Sequence, residues 1–296
     1  MKYRTFSDEL KAMFGAKVYK LSLSSGCTCP NRDGTIGTGG CTFCSEGGSG
    51  DFAAPFLPLS EQLPLAKQRV ARKAGDKYLA YFQSFTNTYG DTARLHALYK
   101  EALSYTEIVG LSVGTRPDCL EPDKVEMLAQ LNREKPVWVE LGLQTIHEAS
   151  AARFHRGYTL EVFEDAYARL KEAGLRVVVH VILGLPGETR EQMLETVRYL
   201  ANLEPVLDGI KLQLLHVLKG IALGEEYMRE PFPVMSMEEY CDLIADCLAL
   251  LPEETVIHRL TGDGPKRLLI APLWSADKKR VLNALKKENE SRGQVP

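Results

Sequence analysis

The sequence lacks a long apolar run and any strong excess of charge of one sign. Its 296 residues include 36 Lys and Arg against 39 Asp and Glu, which gives a net charge of −3. No stretch of about 18 apolar residues occurs, and the first 20 residues have no apolar segment of the kind found in secretory leaders. The near-neutral charge does not by itself indicate a nucleic-acid partner. We therefore expect a cytoplasmic protein that does not enter a membrane.

Cysteine is scarce and unevenly distributed, because four of the seven lie within GCTCPNRDGTIGTGGCTFC (26–44). This stretch is too rich in Gly, Thr and Pro to form a helix or strand, and a loop of this kind can wrap thiolates around a metal. Cys41 and Cys44 form a CxxC pair, and Cys29 lies twelve positions before Cys41. Cys27 is two positions before Cys29, so the two compete for one ligand role.

The spacing of these cysteines leaves three interpretations open. Three thiolates suit an iron–sulfur cluster with one iron available, whereas four suit a closed zinc site. The CxC arrangement of Cys27 and Cys29 is awkward for a tetrahedral zinc ion. A disulfide fits poorly with an odd cysteine count and the composition of a cytosolic enzyme. Thiols without a metal, either unliganded or redox-active, are the remaining possibility.

Apolar, β-rich segments alternate with amphipathic helical patterns along most of the chain. Such alternation is typical of βαβ units and a parallel sheet, so an α/β fold is predicted. The predicted strands are 17–23, 78–85, 108–113, 137–143, 176–183 and 209–215. The predicted helices between them lie near 92–105, 122–133, 160–173 and 189–202. Six such strands fit a partial (β/α)6 TIM-type barrel, in which ligands bind at the carboxyl ends of the strands.

The pattern changes beyond residue 226, which indicates two parts. Residues 1–226 are predicted to form the partial barrel, with the cysteine-bearing loop at 26–50. Before the second strand, 55–64 is predicted to be a connector and 65–73 a helix. Residues 227–296 are predicted to form a small α/β extension packed on the barrel. Its predicted elements are a helix at 237–251, a strand at 255–260 and a basic helix around 277–287.

The motifs of the chain together resemble the radical S-adenosylmethionine (SAM) superfamily. More narrowly they resemble its YhcC/YtqA-like family, which is related to the elongator-protein-3 type of radical SAM domain. The matching segments are CPNRDGTIGTGGCTFC, YFQSFTNTY, LSVGTRPDCL, VWVELGLQTI, HVILGLPGET and TGDGPKRLLIAPLW. The common superfamily signature has three residues between its first two cysteines, whereas eleven separate Cys29 from Cys41. The longer spacer is similar to that of the YhcC/YtqA-like and elongator-type branches.

The resemblance implies an enzyme that holds a 4Fe–4S cluster on Cys29, Cys41 and Cys44. The iron without a protein ligand would bind SAM, and SAM would be cleaved to a 5′-deoxyadenosyl radical. Cys27 is then predicted to pack beside the loop, since a fourth thiolate would occupy the iron that SAM needs. A low-potential electron donor such as flavodoxin or ferredoxin is the implied partner, and the oligomeric state is not predicted.

The resemblance also suggests residues that contact SAM. A Gln and an Arg spaced as Gln144 and Arg156 contact the SAM ribose and carboxylate in oxygen-independent coproporphyrinogen oxidases. His180 aligns with a ribose-binding acid of those relatives. The other expected contacts are Ser112 and Thr115 for the amino group, and Gly184 and Gly187 in the turn that meets adenine. Each has an alternative role, since polar residues at strand ends also form turns and a histidine can belong to the core. No catalytic residue is assigned.

A few further side chains are singled out by their position in the pattern. Glu140 is predicted to face the barrel interior, where a carboxylate needs a partner, and Arg116 is one candidate. Cys241 and Cys247 lie on an apolar helix pattern and are predicted to be buried. Cys119 follows a strand end and is a weaker candidate for a position near the substrate.

The substrate class is inferred from the resemblance and from the distribution of basic residues. The resemblance to elongator-type enzymes implies tRNA, and specifically modification of the side chain of a wobble uridine. A set of C-terminal basic residues is compatible with phosphate contacts: Lys266, Arg267, Lys278, Lys279, Arg280, Lys286 and Lys287. A solvated helix face explains these residues equally well. A small-molecule or protein substrate is the alternative, and a zinc-stabilised α/β binding protein is the alternative of another class.

Overall fold

A computed structural model describes residues 3–48, 50–71, 75–262 and 264–295. The strands are β1 (Arg4–Thr5), β2 (Val18–Leu23), β3 (Lys77–Phe82), β4 (Ile108–Thr115), β5 (Val137–Gln144), β6 (Arg176–Leu183), β7 (Gly209–Leu214), β8 (Val217–Leu218), β9 (Val256–Arg259) and β10 (Leu269–Ala271). The helices are α1 (Phe6–Phe14), α2 (Leu59–Val70), α3 (Thr92–Ser104), α4 (Pro122–Glu134), α5 (Glu148–Arg153), α6 (Leu160–Glu172), α7 (Arg190–Ala201), α8 (Ala222–Arg229), α9 (Met237–Leu250) and α10 (Lys278–Ser291).

Eight of the strands in the described residues form one curled parallel sheet in the order β1-β9-β7-β6-β5-β4-β3-β2. Strands β2 to β7 are the six predicted from the sequence, and each pairs in parallel with its neighbour. The predicted α/β fold with a partial TIM-type barrel is therefore confirmed. Parallel pairing follows from the helical crossovers, which return the chain to the same end of the sheet.

The core lies between the sheet and the outer helices. Strand β4 is buried along almost its whole length, as expected for a strand covered on both faces. Leu111, Val139 and Val179 pack in one hydrophobic cluster with Leu128 of α4 and Phe163 of α6. Because the outer face of the sheet is filled in this way, the inward-facing side chains are left to form the interior of the barrel.

Helix α1 packs against the amino-terminal halves of the strands. Thr5 caps the helix by accepting a hydrogen bond from the backbone N–H of Asp8. The ring of Phe6 stacks on His258 with 3.8 Å between centroids and meets Trp138 edge to face at 5.6 Å. This layer separates the barrel interior from the amino-terminal side, so ligands are expected at the opposite end.

The predicted connector at 55–64 and helix at 65–73 are wrong in their boundary. Helix α2 begins at Leu59 and includes Pro64, and residues 72–73 of the predicted helix lie outside the described residues. A proline inside a helix removes one backbone donor. Here Leu59, Leu63 and Ala66 are all buried, and burial of this apolar face outweighs the missing hydrogen bond.

The C-terminal part adds to the barrel sheet as well as packing on it. Strand β9 pairs in parallel with β7 and with β1, so the predicted strand at 255–260 extends the main sheet. Strands β8 and β10 form a separate antiparallel pair. Helices α9 and α10 pack on each other beside α7. None of the described helices is both long and apolar enough to span a membrane.

Candidate active site

A cavity of about 240 Å³ opens at the carboxyl ends of the strands. The cysteine loop forms one wall, the ends of β3 to β7 form the base, and the segment after β9 forms the opposite wall. Its lining includes Cys29, Cys41, Cys44, Phe85, Thr115, Arg116, Gln144, Arg156, Tyr158, His180 and Arg259. The three predicted cluster ligands therefore share one cavity with four of the seven predicted SAM contacts.

Turns and side-chain hydrogen bonds hold the cysteine loop in place. The carbonyl of Cys29 accepts a hydrogen bond from the N–H of Arg32 at 2.8 Å, and the carbonyl of Cys41 accepts one from the N–H of Cys44 at 2.9 Å. The side-chain amide of Asn31 donates to the carbonyl of His155 at 2.6 Å and lies 3.5 Å from the Cys41 sulfur. The loop is thus tied to the segment that follows β5.

The Cys41 thiol would be deprotonated by a bound metal centre rather than by its surroundings. The pKa of the Cys41 thiol is raised to about 12, mainly by burial and also by the neighbouring Cys44, so a bare Cys41 thiolate is disfavoured. A bound metal centre offsets this by stabilising the deprotonated form. Among the described residues, no three His, Cys, Asp or Glu side chains are grouped to hold one metal ion. Each thiolate of a 4Fe–4S cluster binds a different iron, so the sulfurs need not converge on one point.

The remaining four cysteines do not line this cavity. Cys27 is buried in the hydrophobic core, where its sulfur is 3.3 Å from the Arg94 guanidinium. Cys241 and Cys247 are buried as predicted, and burial raises their pKa values to about 11 and about 12. Cys119 is buried next to Asp118, and burial raises its thiol pKa as well.

Backbone strain is concentrated around the cavity. Among the described residues, three that are not glycine have a positive φ: Phe85 at 60°, Gln144 at 67° and His155 at 59°. Phe85 and Gln144 line the cavity, and the carbonyl of His155 lies 3.6 Å from the Cys41 sulfur. Gln144 folds over Gly142, where a Cβ would lie 2.6 Å from its amide nitrogen. Strain of this kind persists where the surrounding structure holds a functional geometry.

Arg156 is committed to the structure that surrounds it. Its side chain is buried, and Nη1 donates to the carbonyl of Thr145 at 2.7 Å while Nε donates to the carbonyl of Tyr158 at 2.9 Å. Nη2 forms an ion pair with Glu148 at 2.7 Å. The predicted contact with the SAM carboxylate stays a prediction, because these bonds already engage three of its nitrogens.

Glu140 faces the barrel interior as predicted, but Arg116 is not its partner. The Arg116 guanidinium binds both carboxylate oxygens of Asp118, at 2.9 and 2.7 Å. Arg116 lies one residue beyond the end of β4, next to Asp118 in the same short turn. Glu140 instead accepts hydrogen bonds from five side chains that point inward from neighbouring strands: Lys20, Tyr81, Ser112, His180 and Lys211.

The electrostatics of this buried group are dominated by Glu140. Burial alone would raise the pKa of Glu140, but the charges of Lys20 and Lys211 and the His180 hydrogen bond hold it well below its usual value. Burial lowers the pKa of His180 to about 4, and the charge of Lys211 contributes to the same shift. We therefore assign an ionised Glu140 beside a neutral His180, whose Nε2 lies 2.8 Å from the carboxylate.

The other three predicted SAM contacts, Ser112, Gly184 and Gly187, do not line this cavity, and their contact with SAM stays a prediction. Ser112 is fully buried and donates to Glu140 at 2.6 Å, below the cavity. Gly184 and Gly187 shape the loop after β6, with φ values of 88° and 89°. The N–H of Gly184 donates to the sulfur of Met193 at 3.0 Å. Thr115, Gln144, Arg156 and His180 are the predicted contacts that the cavity brings together.

Several residues of the site were missed by the sequence analysis. Lys20 and Lys211 are the single charged residues of strands β2 and β7, whose other residues are mostly apolar. Tyr81 and Arg259 also line the cavity. A charged residue in a buried parallel strand is a usable signal, because such strands are normally apolar throughout. This signal does not identify the residue with which the buried charge pairs, because the sequence does not give the register between neighbouring strands.

Comparison with known proteins assigns the chain to a family. The model of the Radical SAM superfamily matches residues 29–200, and that of the Radical_SAM C-terminal domain matches residues 207–291. The first match spans more than half of the sequence, so the chain belongs to the radical SAM superfamily. It is therefore a radical SAM enzyme.

Relatives cover most of the chain. Bacillus subtilis YtqA is 44% identical over 99% of this chain and 91% of its own length. Escherichia coli YhcC is 37% identical over 91% of this chain and 86% of its own. Elongator complex protein 3 of Schizosaccharomyces pombe is 32% identical over 56% of this chain and only 30% of its own length. The resemblance to the YhcC/YtqA-like family is thus confirmed.

A solved structure supports the fold. The archaeal Methanocaldococcus infernus Elp3, with an N-terminal deletion, has a TM-score of 0.68 over 93% of this chain and 63% of its own chain. The sequence identity is 18%, so this likeness concerns the fold.

Proposed function

We propose that this enzyme holds a 4Fe–4S cluster on Cys29, Cys41 and Cys44 and cleaves SAM in the cavity that they line. The observation that carries the proposal is the shared cavity, which brings these thiols together with Thr115, Gln144, Arg156 and His180. When bound, the cluster and SAM supply one-electron cleavage of a C–S bond and a 5′-deoxyadenosyl radical. The protein contributes binding, orientation and exclusion of water.

The residues around the cavity suit that contribution. With its proton on Nε2 toward Glu140, His180 has Nδ1 as a hydrogen-bond acceptor for a ligand hydroxyl. Gln144 lies over Gly142 in a strained backbone conformation that directs its amide along the cavity base. The rings of Phe85 and Tyr158 line the walls and limit the access of water. Arg156 lines the cavity and braces the end of β5 by donating to the carbonyl of Thr145.

The cluster is tested by anaerobic purification followed by iron, sulfide and zinc analysis. We expect near-equal iron and sulfide, about four of each per chain, and formation of 5′-deoxyadenosine from SAM after reduction with dithionite. Zinc without iron after reconstitution would contradict the proposal and would favour a zinc-stabilised binding protein.

For the substrate we propose tRNA, with the side chain of a wobble uridine as the modified group. The partial sequence similarity to Elongator complex protein 3 supports this choice. Exposed basic side chains support it independently, since Lys266, Arg267, Lys278, Lys279 and Arg280 are all at the surface. A flavodoxin or ferredoxin is the proposed source of electrons.

The substrate class is tested by measuring 5′-deoxyadenosine with and without bulk tRNA under anaerobic conditions. Intact tRNA should increase its rate of formation, whereas the same tRNA digested to nucleotides should not. If intact tRNA has no effect and digested tRNA does, the substrate is a small molecule. If neither has an effect, the tRNA proposal is wrong.

A further inference from the structure

Asn31 is buried within the cysteine loop although its side chain is polar. Only 3% of the residue is exposed. Its backbone carbonyl accepts a hydrogen bond from the N–H of Gly40 at 2.7 Å, one residue before Cys41. Its side-chain amide nitrogen lies 3.5 Å from the Cys41 sulfur. Both the backbone and the side chain of Asn31 therefore hold it against one of the three proposed cluster ligands.

The side-chain amide of Asn31 has two hydrogens and three acceptors within reach. The carbonyl of His155 is the nearest at 2.6 Å, followed by the carbonyl of Arg156 at 3.3 Å and the Cys41 sulfur at 3.5 Å. One hydrogen is therefore directed to His155. The sulfur of a neutral thiol is a weak acceptor, but a cysteine ligates a metal as the thiolate. A charged acceptor forms the stronger hydrogen bond, so ligation favours the bond from the second hydrogen to sulfur.

The segment after α5 is shaped around this amide. His155 has a φ of 59°, and its carbonyl lies 3.6 Å from the Cys41 sulfur as well as within hydrogen-bond distance of Asn31. Gly157 has a φ of 80°, and a Cβ there would lie 2.9 Å from the Asn31 side-chain oxygen. A side chain at position 157 would thus crowd the amide. The packing of the protein itself sets the direction in which Asn31 donates.

A hydrogen bond to a ligand sulfur affects how readily an iron–sulfur cluster is reduced. Reduction adds negative charge to the cluster and its thiolates, and an N–H donor stabilises that charge. We propose that Asn31 is a positioning residue of the cluster, which donates to the Cys41 sulfur and raises the reduction potential. The inference rests on the proposed function for the cluster itself. It adds a residue that ligates no iron and acts through Cys41.

The inference is tested by an EPR-monitored redox titration of the anaerobically reconstituted protein. Asn31→Leu keeps the approximate size of the side chain and its neutral charge but removes both N–H donors. We expect reduction to become roughly tenfold less favourable, which corresponds to a potential about 59 mV lower for a one-electron couple. Thr35→Val is the matched control in the same loop. It removes the 2.8 Å hydrogen bond between the Thr35 and Tyr89 hydroxyls, which involves no sulfur, so it should have the wild-type potential.

A second measurement does not depend on the stability of the variant, since Asn31→Leu also loses the bond to His155. The wild-type protein is labelled with ¹⁵N at its asparagine side-chain amides, and a pulsed-EPR spectrum of the reduced cluster is recorded. We expect a ¹⁵N hyperfine coupling, because the Asn31 amide nitrogen lies 3.5 Å from a ligand sulfur. Thr35→Val should keep this coupling.

The inference is overturned if the labelled wild-type protein shows no ¹⁵N coupling. It is equally overturned if the clusters formed in Asn31→Leu have the wild-type potential, whatever their number, because Asn31 would then only tether the loop. Equal shifts of the potential in Asn31→Leu and Thr35→Val would also contradict it. Iron and sulfide are measured on the same samples. A wild-type protein that holds a cluster but fails these tests contradicts this inference alone, whereas one without iron contradicts the proposed function and the inference with it.

Discussion

At the scale of single residues, the four loop cysteines differ in their surroundings. Cys29, Cys41 and Cys44 line the cavity, whereas Cys27 is buried in the core beside Arg94. We predict that Cys29→Ala, Cys41→Ala or Cys44→Ala each abolishes cluster binding, because a methyl group cannot ligate iron. Cys27→Ala should keep the iron content and the cluster absorbance of the wild type. Loss of iron in Cys27→Ala alone would contradict the proposal that one iron of the cluster has no protein ligand.

Arg156 supports a prediction about stability. Arg156→Ala would leave the carbonyls of Thr145 and Tyr158 without their buried donor. We therefore expect the free energy of unfolding to fall by roughly 2–4 kcal/mol. Urea denaturation measures this value. Arg153→Ala is the control, since Arg153 is half-exposed and pairs with Glu226 at the surface, and it should cost under about 1 kcal/mol. Equal losses in the two variants would contradict the bracing role of Arg156.

His180 gives the stability a pH dependence. Its pKa is about 4 in the folded protein, because of burial and the charge of Lys211, against an ordinary value near 6.5. The unfolded chain therefore binds a proton between pH 6.5 and 4 that the folded chain does not. The free energy of unfolding should fall as the pH is lowered through this window. Urea denaturation at pH 7, 6 and 5 tests this, and His180→Asn should have a shallower slope; an unchanged slope would contradict it.

Not all of these roles could be predicted from single residues. The cysteine loop was predictable because its composition and spacing are local properties of the chain. The partners of Glu140 were not, because Lys20 and Lys211 lie 120 and 71 positions away along the chain. Arg116 was predicted as the partner because it is closer to Glu140 in the sequence. Its guanidinium instead forms a bidentate pair with Asp118, two residues away.

At the scale of elements, the loop that carries the cysteines depends on close packing against the end of β3. A Cβ on Gly50 would lie 1.9 Å from the Ser84 hydroxyl and 2.7 Å from its Cα, whereas one on Gly39 would meet nothing within 4 Å. We predict that Gly50→Ala lowers stability by about 1–3 kcal/mol and reduces iron incorporation. Gly39→Ala, in the same loop, should resemble the wild type in thermal unfolding and iron content. Similar behaviour of the two variants would contradict this packing argument.

The elements themselves were predictable in proportion to their length and periodicity. Strands β2 to β7 and the helices between them have long apolar patterns, and the structure confirms them. Strands β1 and β8 have two residues each, so neither is long enough to show an alternation of apolar and polar residues. The start of α2 was missed because Pro64 suggested a break, whereas the burial of Leu59 and Leu63 sustains the helix.

At the scale of the whole molecule, charge is distributed unevenly although the net charge is only −3. The C-terminal segment presents a group of exposed basic residues, among them Lys266 and Arg267. Helix α10 begins at Lys278, next to the N-cap Asp277, and Lys278, Lys279 and Arg280 are all exposed. Three consecutive exposed basic side chains make the start of α10 the candidate for phosphate contacts.

This distribution leads to a prediction about RNA binding. Replacing Lys278, Lys279 and Arg280 with Gln should weaken binding of bulk tRNA and reduce the slope of log affinity against log salt. Each lost phosphate contact should reduce that slope by about one, and by less where the contact is partial. Cleavage of SAM in the absence of RNA should hardly change, because the cavity lies in the barrel.

A filter-binding titration at three salt concentrations measures both the affinity and its slope. The charge-matched control replaces Lys11, Lys17 and Arg133, which are exposed elsewhere on the molecule, and should leave affinity and slope unchanged. If both triple variants weaken binding equally, the effect is one of net charge, and the start of α10 is not a specific contact. If the wild-type protein binds no tRNA at any of the three salt concentrations, the substrate is to be sought among small molecules and proteins.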